Sequence, residues 1–115
     1  MVIRPLTATE QHNYNLLSAA IQTKSRVSFY YYDDDETKKT QRIVEPFLIG
    51  HNKDTGNLQL RTWCLLPESP KNILSWKLFD LEKISGLMIL EGKFTGVRPK
   101  YNRNDKTMIL IKYRI

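Results

Sequence analysis

The chain has a single cysteine, Cys64, among its 115 residues, which excludes an internal disulfide framework. A lone thiol inside the apolar stretch 63–66 reads as a packed side chain in a reducing compartment, so the expected location is the cytoplasm. Long hydrophobic runs are missing. None reaches the roughly 18–20 residues of a membrane-spanning helix, and MVIRPLTATEQHN lacks the apolar stretch of a secretory signal. Glycine is scarce and scattered: Gly50, Gly56, Gly86, Gly92 and Gly96 stand singly, so no Gly-rich loop is present to cradle a phosphate. His12 and His51 have no partner His or Cys at ligand spacing, and nothing points to Ser/His/Asp or Cys/His catalysis. The acidic run Asp33, Asp34, Asp35 is a weak metal candidate, because consecutive side chains diverge and no glycine follows at calcium-loop spacing. No catalytic residue, cofactor or metal is therefore expected. Internal repeats and low-complexity tracts are also lacking.

What remains is the composition of an ordinary globular protein, 41% hydrophobic and 26% charged, of a length that suits one domain spanning residues 1–115. The charge is uneven. Residues 1–60 carry seven Lys/Arg against seven Asp/Glu, whereas residues 61–115 carry eleven against five and hold the whole net charge of +6. After Gly92, seven basic residues oppose Asp105 alone. Such a segment attracts polyanions through phosphate contacts and counterion release. The plainer reading is a solvated basic surface.

Residues 1–6 read as an arm. Thr7-Ala8-Thr9-Glu10 has capping-box spacing, and Tyr14, Leu17 and Ile21 recur at helical period, predicting one helix over residues 7–23. The period then changes to that of strands: RVSFYYY, QRIVEPFLIG, LQLRTWCLL, ILSWKLFDL and GLMIL give five, over residues 26–91. DDDETKKT, HNKDTGN and PESPKN separate the first four, and a turn near residues 82–85 precedes the fifth. FTGVRPKYNRND looks irregular. TMILIKYRI alternates like a sixth strand, with a short terminal helix as the other reading; residues 92–115 form the basic C-terminal segment. One helix and five or six short strands predict a mostly β fold, a strongly bent antiparallel sheet or partly open barrel with the helix packed on it.

The unusual stretch is TQRIVEPFLIG. It is apolar enough for a buried strand, yet it carries Arg42, Glu45 and Pro46. Strict alternation puts Arg42, Val44, Pro46 and Leu48 on one face and Ile43, Glu45, Phe47 and Ile49 on the other. In the next strands Arg61 shares a face with Trp63, and Lys77 with Phe79. A cation on such a strand must be paired, stacked or solvated. If the strands are neighbours, Arg42, Arg61 and Lys77 could converge with Trp63 or Phe79 on a planar anion such as a nucleotide. The competing reading has them reach solvent, with Arg42 pairing an acid such as Glu45 or Glu82.

The order of helix, VSFYYYDDD, RIVEPFLIG, GNLQLRTWCL and WKLFDLEKISGLMIL, covering about residues 16–90, resembles the WYL-domain family. The tail FTGVRPKYNRNDK looks like a short single-domain branch of it. The resemblance implies an SH3-like or Sm-like barrel, mostly bacterial, that senses nucleotide-like or nucleic-acid ligands and regulates transcription, DNA-damage responses or defence. It implies a site of basic and aromatic residues on the sheet. Arg42 matches the family's arginine before V-x-P, Lys77 and Phe79 match the Phe-containing strand, and Lys83 stands in the D-R-I position without the guanidinium fork. The name-giving W-Y-L triplet aligns with Leu58, Gln59 and Leu60, so its Trp and Tyr are lost. The residues before the first strand are too few for the helix-turn-helix region that usually accompanies the family.

Together these readings predict a non-catalytic module that binds a nucleotide or single-stranded nucleic acid. Arg42, Arg61, Lys77 and Lys83 would contact phosphate, Trp63 or Phe79 would stack, and Arg98, Lys100 and Arg103 would add non-specific attraction. The alternative is a protein-interaction or self-assembly module using the edge of the last strand.

Overall fold

Thr7 opens helix α1 (Ala8–Thr23) with the anticipated capping box: its hydroxyl accepts from the Glu10 amide, and its own amide donates to Glu10 Oε1 at 2.9 Å. Arg4 closes over the same carboxylate at 2.6 and 3.0 Å, so the buried Glu10 is paired. The computed structural model describes residues 3–33 and 37–115; Asp34 and Asp35 of the acidic run lie outside them. The buried face of α1 presents Asn13, Leu17, Ala20 and Ile21. Asn13 donates to the carbonyls of Leu81 and Ile84 at 2.8 and 3.1 Å, tying the helix to a 3₁₀ turn (Leu81–Lys83). Lys24 ends the helix in the left-handed region at φ 50°.

The strands are β1 (Ser25–Tyr31), β2 (Thr40–Asn52), β3 (Leu58–Leu66), β4 (Trp76–Asp80), β5 (Ser85–Lys93) and β6 (Met108–Arg114). They form one antiparallel sheet in the order β4-β3-β2-β1-β5, with β6 also on β2. Thus residues 108–114 are a strand, because their alternating backbone completes a ladder with β2. The fold is mostly β with one helix. No pairing among β4, β5 and β6 closes the ladder into a continuous ring within the described residues. No helix among them is long and apolar enough to cross a membrane.

β2 organises the molecule. Its first half pairs with β1, its second half with β6, and β3 runs along both. Pro46 sits opposite Thr62 and Leu48 opposite Arg61, so Phe47 is an extra residue in the ladder. Pro46 brings no N–H to that ladder, which makes the site a natural place for a bulge. The bulge overturns the strict alternation expected here. Val44 and Ile49 enter one core with Leu17, Phe29, Leu60 and Phe79 beneath the helix. Phe47 and Leu48 enter a second core with Phe94 and Met108, flanked by Trp63, Trp76 and Tyr101. That second core lies on the other side of the sheet and is built largely by the C-terminal segment, which the sequence left irregular.

Candidate functional site

On β2 the Arg42 side chain is only 3% exposed. Its guanidinium carbon stands 5.8 Å from the ring centre of Tyr31 and 5.7 Å from that of Phe79, over both faces. Its Nε donates to Thr40 Oγ1 at 3.1 Å, and its Nη2 lies 3.7 Å from the Asp33 carboxylate. The cation is thus stacked and paired, as its burial demands. Asp33 is the acid that meets it. Neither acid named from sequence forms this pair: Glu45 binds other arginines, as described below. The ring seat follows from the strands, since Tyr31 lies two residues beyond Phe29 on one face of β1 and Phe79 reaches the same core from β4. Phe29, Tyr31 and Phe79 meet edge to face at 4.8–6.3 Å.

Arg42 forms one wall of an open cleft of about 600 Å³, with Asp33, Thr40, Leu66, Pro67 and Lys77. Lys77 faces Thr62 across the β3–β4 ladder and is exposed, and its ammonium has no hydrogen-bond or ion-pair partner among the described residues. Among the described residues that line the cleft, two cations face one acid. Cys64 lies beneath it. Burial pushes its thiol pKa up, Arg42 and Lys77 only partly offset this, and Sγ donates to the Leu66 carbonyl at 3.2 Å. A protonated, buried thiol is a packing group and a poor nucleophile.

The predicted site residues divide between the two faces of the sheet. Arg42 meets Phe79 and shares its cleft with Lys77. Phe79, however, is 1% exposed, so it supports Arg42 from below and offers no free face for a base. Lys83, in the 3₁₀ turn, lies 3.8 Å from Asp80 and lines a separate small cleft with Arg4 and Glu10. Arg61 and Trp63 are on the opposite face, because β3 alternates between the two cores. The convergence of all three strand cations is therefore corrected: period-2 geometry sends Arg61 away from Arg42 and Lys77.

On that opposite face, Arg98 stands 4.9 Å above the Trp63 ring and binds Glu45 with two hydrogen bonds of 2.7 and 3.0 Å. Arg26 reaches the same carboxylate at 3.2 Å. Arg61 donates from Nε to Asp105 Oδ2 at 2.8 Å and from Nη2 to Thr107 at 3.3 Å. Burial alone would raise the Asp105 pKa, but the Arg61 hydrogen bond and the Thr107 amide bring it below its ordinary value. Arg98, one of the cations expected to attract a polyanion, and Asp105, the acid of the same segment, are thus fasteners for the C-terminal segment. Lys100 and Arg103 remain exposed. Asp105, as the lone acid of that segment, was the available clue to such a pairing. Tyr101 and Trp76, which sequence reasoning passed over, stack at 5.7 Å with planes 28° apart.

His51 is buried, and its Nδ1 donates to the Gly56 carbonyl at 2.9 Å, a turn contact. No group of three or more metal-ligating side chains occurs among the described residues.

A search of curated proteins finds no match. Among solved structures the chain is similar to proteasome accessory factor B/C (PafBC) of Arthrobacter aurescens, with a TM-score of 0.64 at 13% identity. The alignment covers 81% of this chain and 13% of that one, so the likeness is one of fold over a small part of a much longer protein. A model of the WYL domain matches residues 12–88, from within α1 to within β5. With more than half of its length matched in this way, the chain belongs to the WYL-domain family.

Proposed function

We propose that the chain is a non-catalytic regulatory module whose Arg42–Lys77 cleft receives an anion, the phosphate of a nucleotide or of single-stranded nucleic acid. The observation that carries this reading is a buried arginine, seated on two aromatic faces, at the wall of an open cleft beside a lysine whose ammonium has no partner among the described residues. The ring seat fixes the guanidinium before any ligand arrives, which lowers the ordering cost of binding. Asp33 is about half exposed and occupies the place an incoming oxyanion would take, so ligand and Asp33 compete for Arg42. WYL-family membership supports ligand or nucleic-acid sensing as the broad role. Lys100 and Arg103 would add salt-sensitive attraction for a polyanion.

Fluorescence anisotropy with short labelled single- and double-stranded DNA and RNA, at low and near-physiological salt, tests this. Binding that survives the higher salt and is lost in Lys77→Glu supports the cleft. Affinity unchanged in a folded Lys77→Glu and Arg42→Met pair would sink it.

A second reading has its own observation. Among the described residues β6 pairs only with β2 and exposes Ile109 and Leu110, so its outer edge could take another strand. Light scattering over a range of concentrations tests it; a monomer throughout removes the self-assembly form.

A further inference from the structure

On the face of the sheet opposite the Arg42 cleft, the C-terminal segment borders a smaller open cleft. It measures about 220 Å³ and is lined by Arg61, Trp76, Lys100, Tyr101, Asn102 and Asp105. At about 30 Å³ per water, this is room for some seven waters, or for one small ring with a substituent. We propose that it is a binding site for a planar aromatic or heteroaromatic ring bearing one anionic group.

Each part of that description follows from a lining residue. Trp76 and Tyr101, stacked on each other, both line the cleft and supply its aromatic surface. The indole N–H is already donated to the Pro99 carbonyl at 2.8 Å, so Trp76 offers carbon surface only. Charge comes from Arg61 and Lys100 against Asp105, a surplus of one cation. Arg61 uses one N–H on Asp105 and one on Thr107, leaving three of its five donors for a ligand. Asp105 holds that guanidinium in place. Lys100 has no hydrogen-bond or ion-pair partner among the described residues, and it is held in the left-handed region at φ 66°, a conformation that a side chain adopts at a cost. The Asn102 carbonyl oxygen accepts from the Asn104 amide, which leaves its NH₂ uncommitted. A ring against Trp76 and Tyr101 with its anion between Arg61 and Lys100 satisfies all of these groups. The site shares no lining residue with the Arg42 cleft and stands or falls separately from it.

The test is a nuclear magnetic resonance titration of the indole N–H signals, of which the chain has two, with Trp63→Phe assigning that of Trp76. The probe is nicotinate, with nicotinamide as the uncharged ring and acetate as the ring-free anion. Nicotinate should shift the Trp76 signal saturably, and both controls should bind at least about tenfold more weakly. Lys100→Glu should weaken nicotinate by a similar factor, and Lys100→Gly, which suits the backbone conformation, should also weaken it. Lys77→Glu, on the other face, should leave it unchanged. An absent or non-saturating shift overturns the proposal. So does equal binding of either control, or affinity that ignores both Lys100 variants or falls in Lys77→Glu.

Discussion

Arg98 and Glu45, 53 residues apart, are joined by two hydrogen bonds of 2.7 and 3.0 Å, and the Glu45 carboxylate is 1% exposed. The pair pins the C-terminal segment to the middle of β2, and Arg26 completes it from β1. A glutamate in so apolar a strand is tolerable because two guanidinium groups meet it there.

Removing Arg98 should therefore be more harmful than its partial exposure suggests. Arg98→Ala leaves Glu45 buried with one partner and uncovers Trp63. The expected loss is about 2 kcal/mol, below the full cost of breaking a wholly buried pair because Arg98 is about a third exposed. Urea denaturation measures it, and hydrogen exchange should show residues 94–107 losing protection first.

The Arg42 seat separates charge from packing. Arg42→Met keeps an apolar stem against Tyr31 and Phe79 and should retain the fold, whereas Arg42→Glu places a carboxylate over two ring faces and should lower the melting temperature. Lys77→Glu should leave stability within about 0.5 kcal/mol, since the side chain is exposed and has no partner among the described residues. If the cleft binds nucleic acid, that variant should also reduce the salt slope of log K by about 1. Asp33→Asn should act in reverse, raising affinity by up to about fivefold by removing one exposed competitor for Arg42.

Acid should weaken the fold through Glu10 and Asp105. Both titrate below their ordinary values of 4.5 and 3.8. Burial opposes this at each. At Glu10 the Arg4 contacts and the Thr7 amide outweigh it, and at Asp105 the Arg61 hydrogen bond does so. A carboxyl group with a depressed folded pKa takes up protons more readily when unfolded. Its stabilisation is complete above the unfolded pKa and disappears as pH falls through the folded one. Melting temperature should be insensitive to these groups down to about pH 5 and then decline. Asp105→Asn should be less stable than the parent at neutral pH and converge with it in acid, as followed by circular dichroism.

Gly50 controls how closely β6 approaches β2. A Cβ there would lie 2.7 Å from the Leu110 carbonyl oxygen and 3.2 Å from the Met108 side chain. Because the nearer atom is backbone, Gly50→Ala must displace the strand and should cost about 1–3 kcal/mol. Hydrogen exchange should report β6 opening before β1 or β3.

Local chemistry alone determined a good part of this protein. The capping box and helical period placed α1, and β-branched and aromatic runs separated by turn residues placed the strands, because those signals act within a few residues. The cations to watch, Arg42 and Lys77, were also legible, since a charge beside large apolar neighbours must be accounted for. Tertiary structure decided which groups they meet. The bulge at Phe47 reversed the sidedness of β2, and a one-residue change in a period-2 pattern exchanges the faces of everything after it. Strand register and alternation then set Arg61 and Trp63 on the far side from Arg42, and Phe79 was buried under it. The irregular tail proved to be the second layer of the fold. Its Asp105 and Arg98 find partners 44 and 53 residues away, and no local rule of sequence extends across that distance.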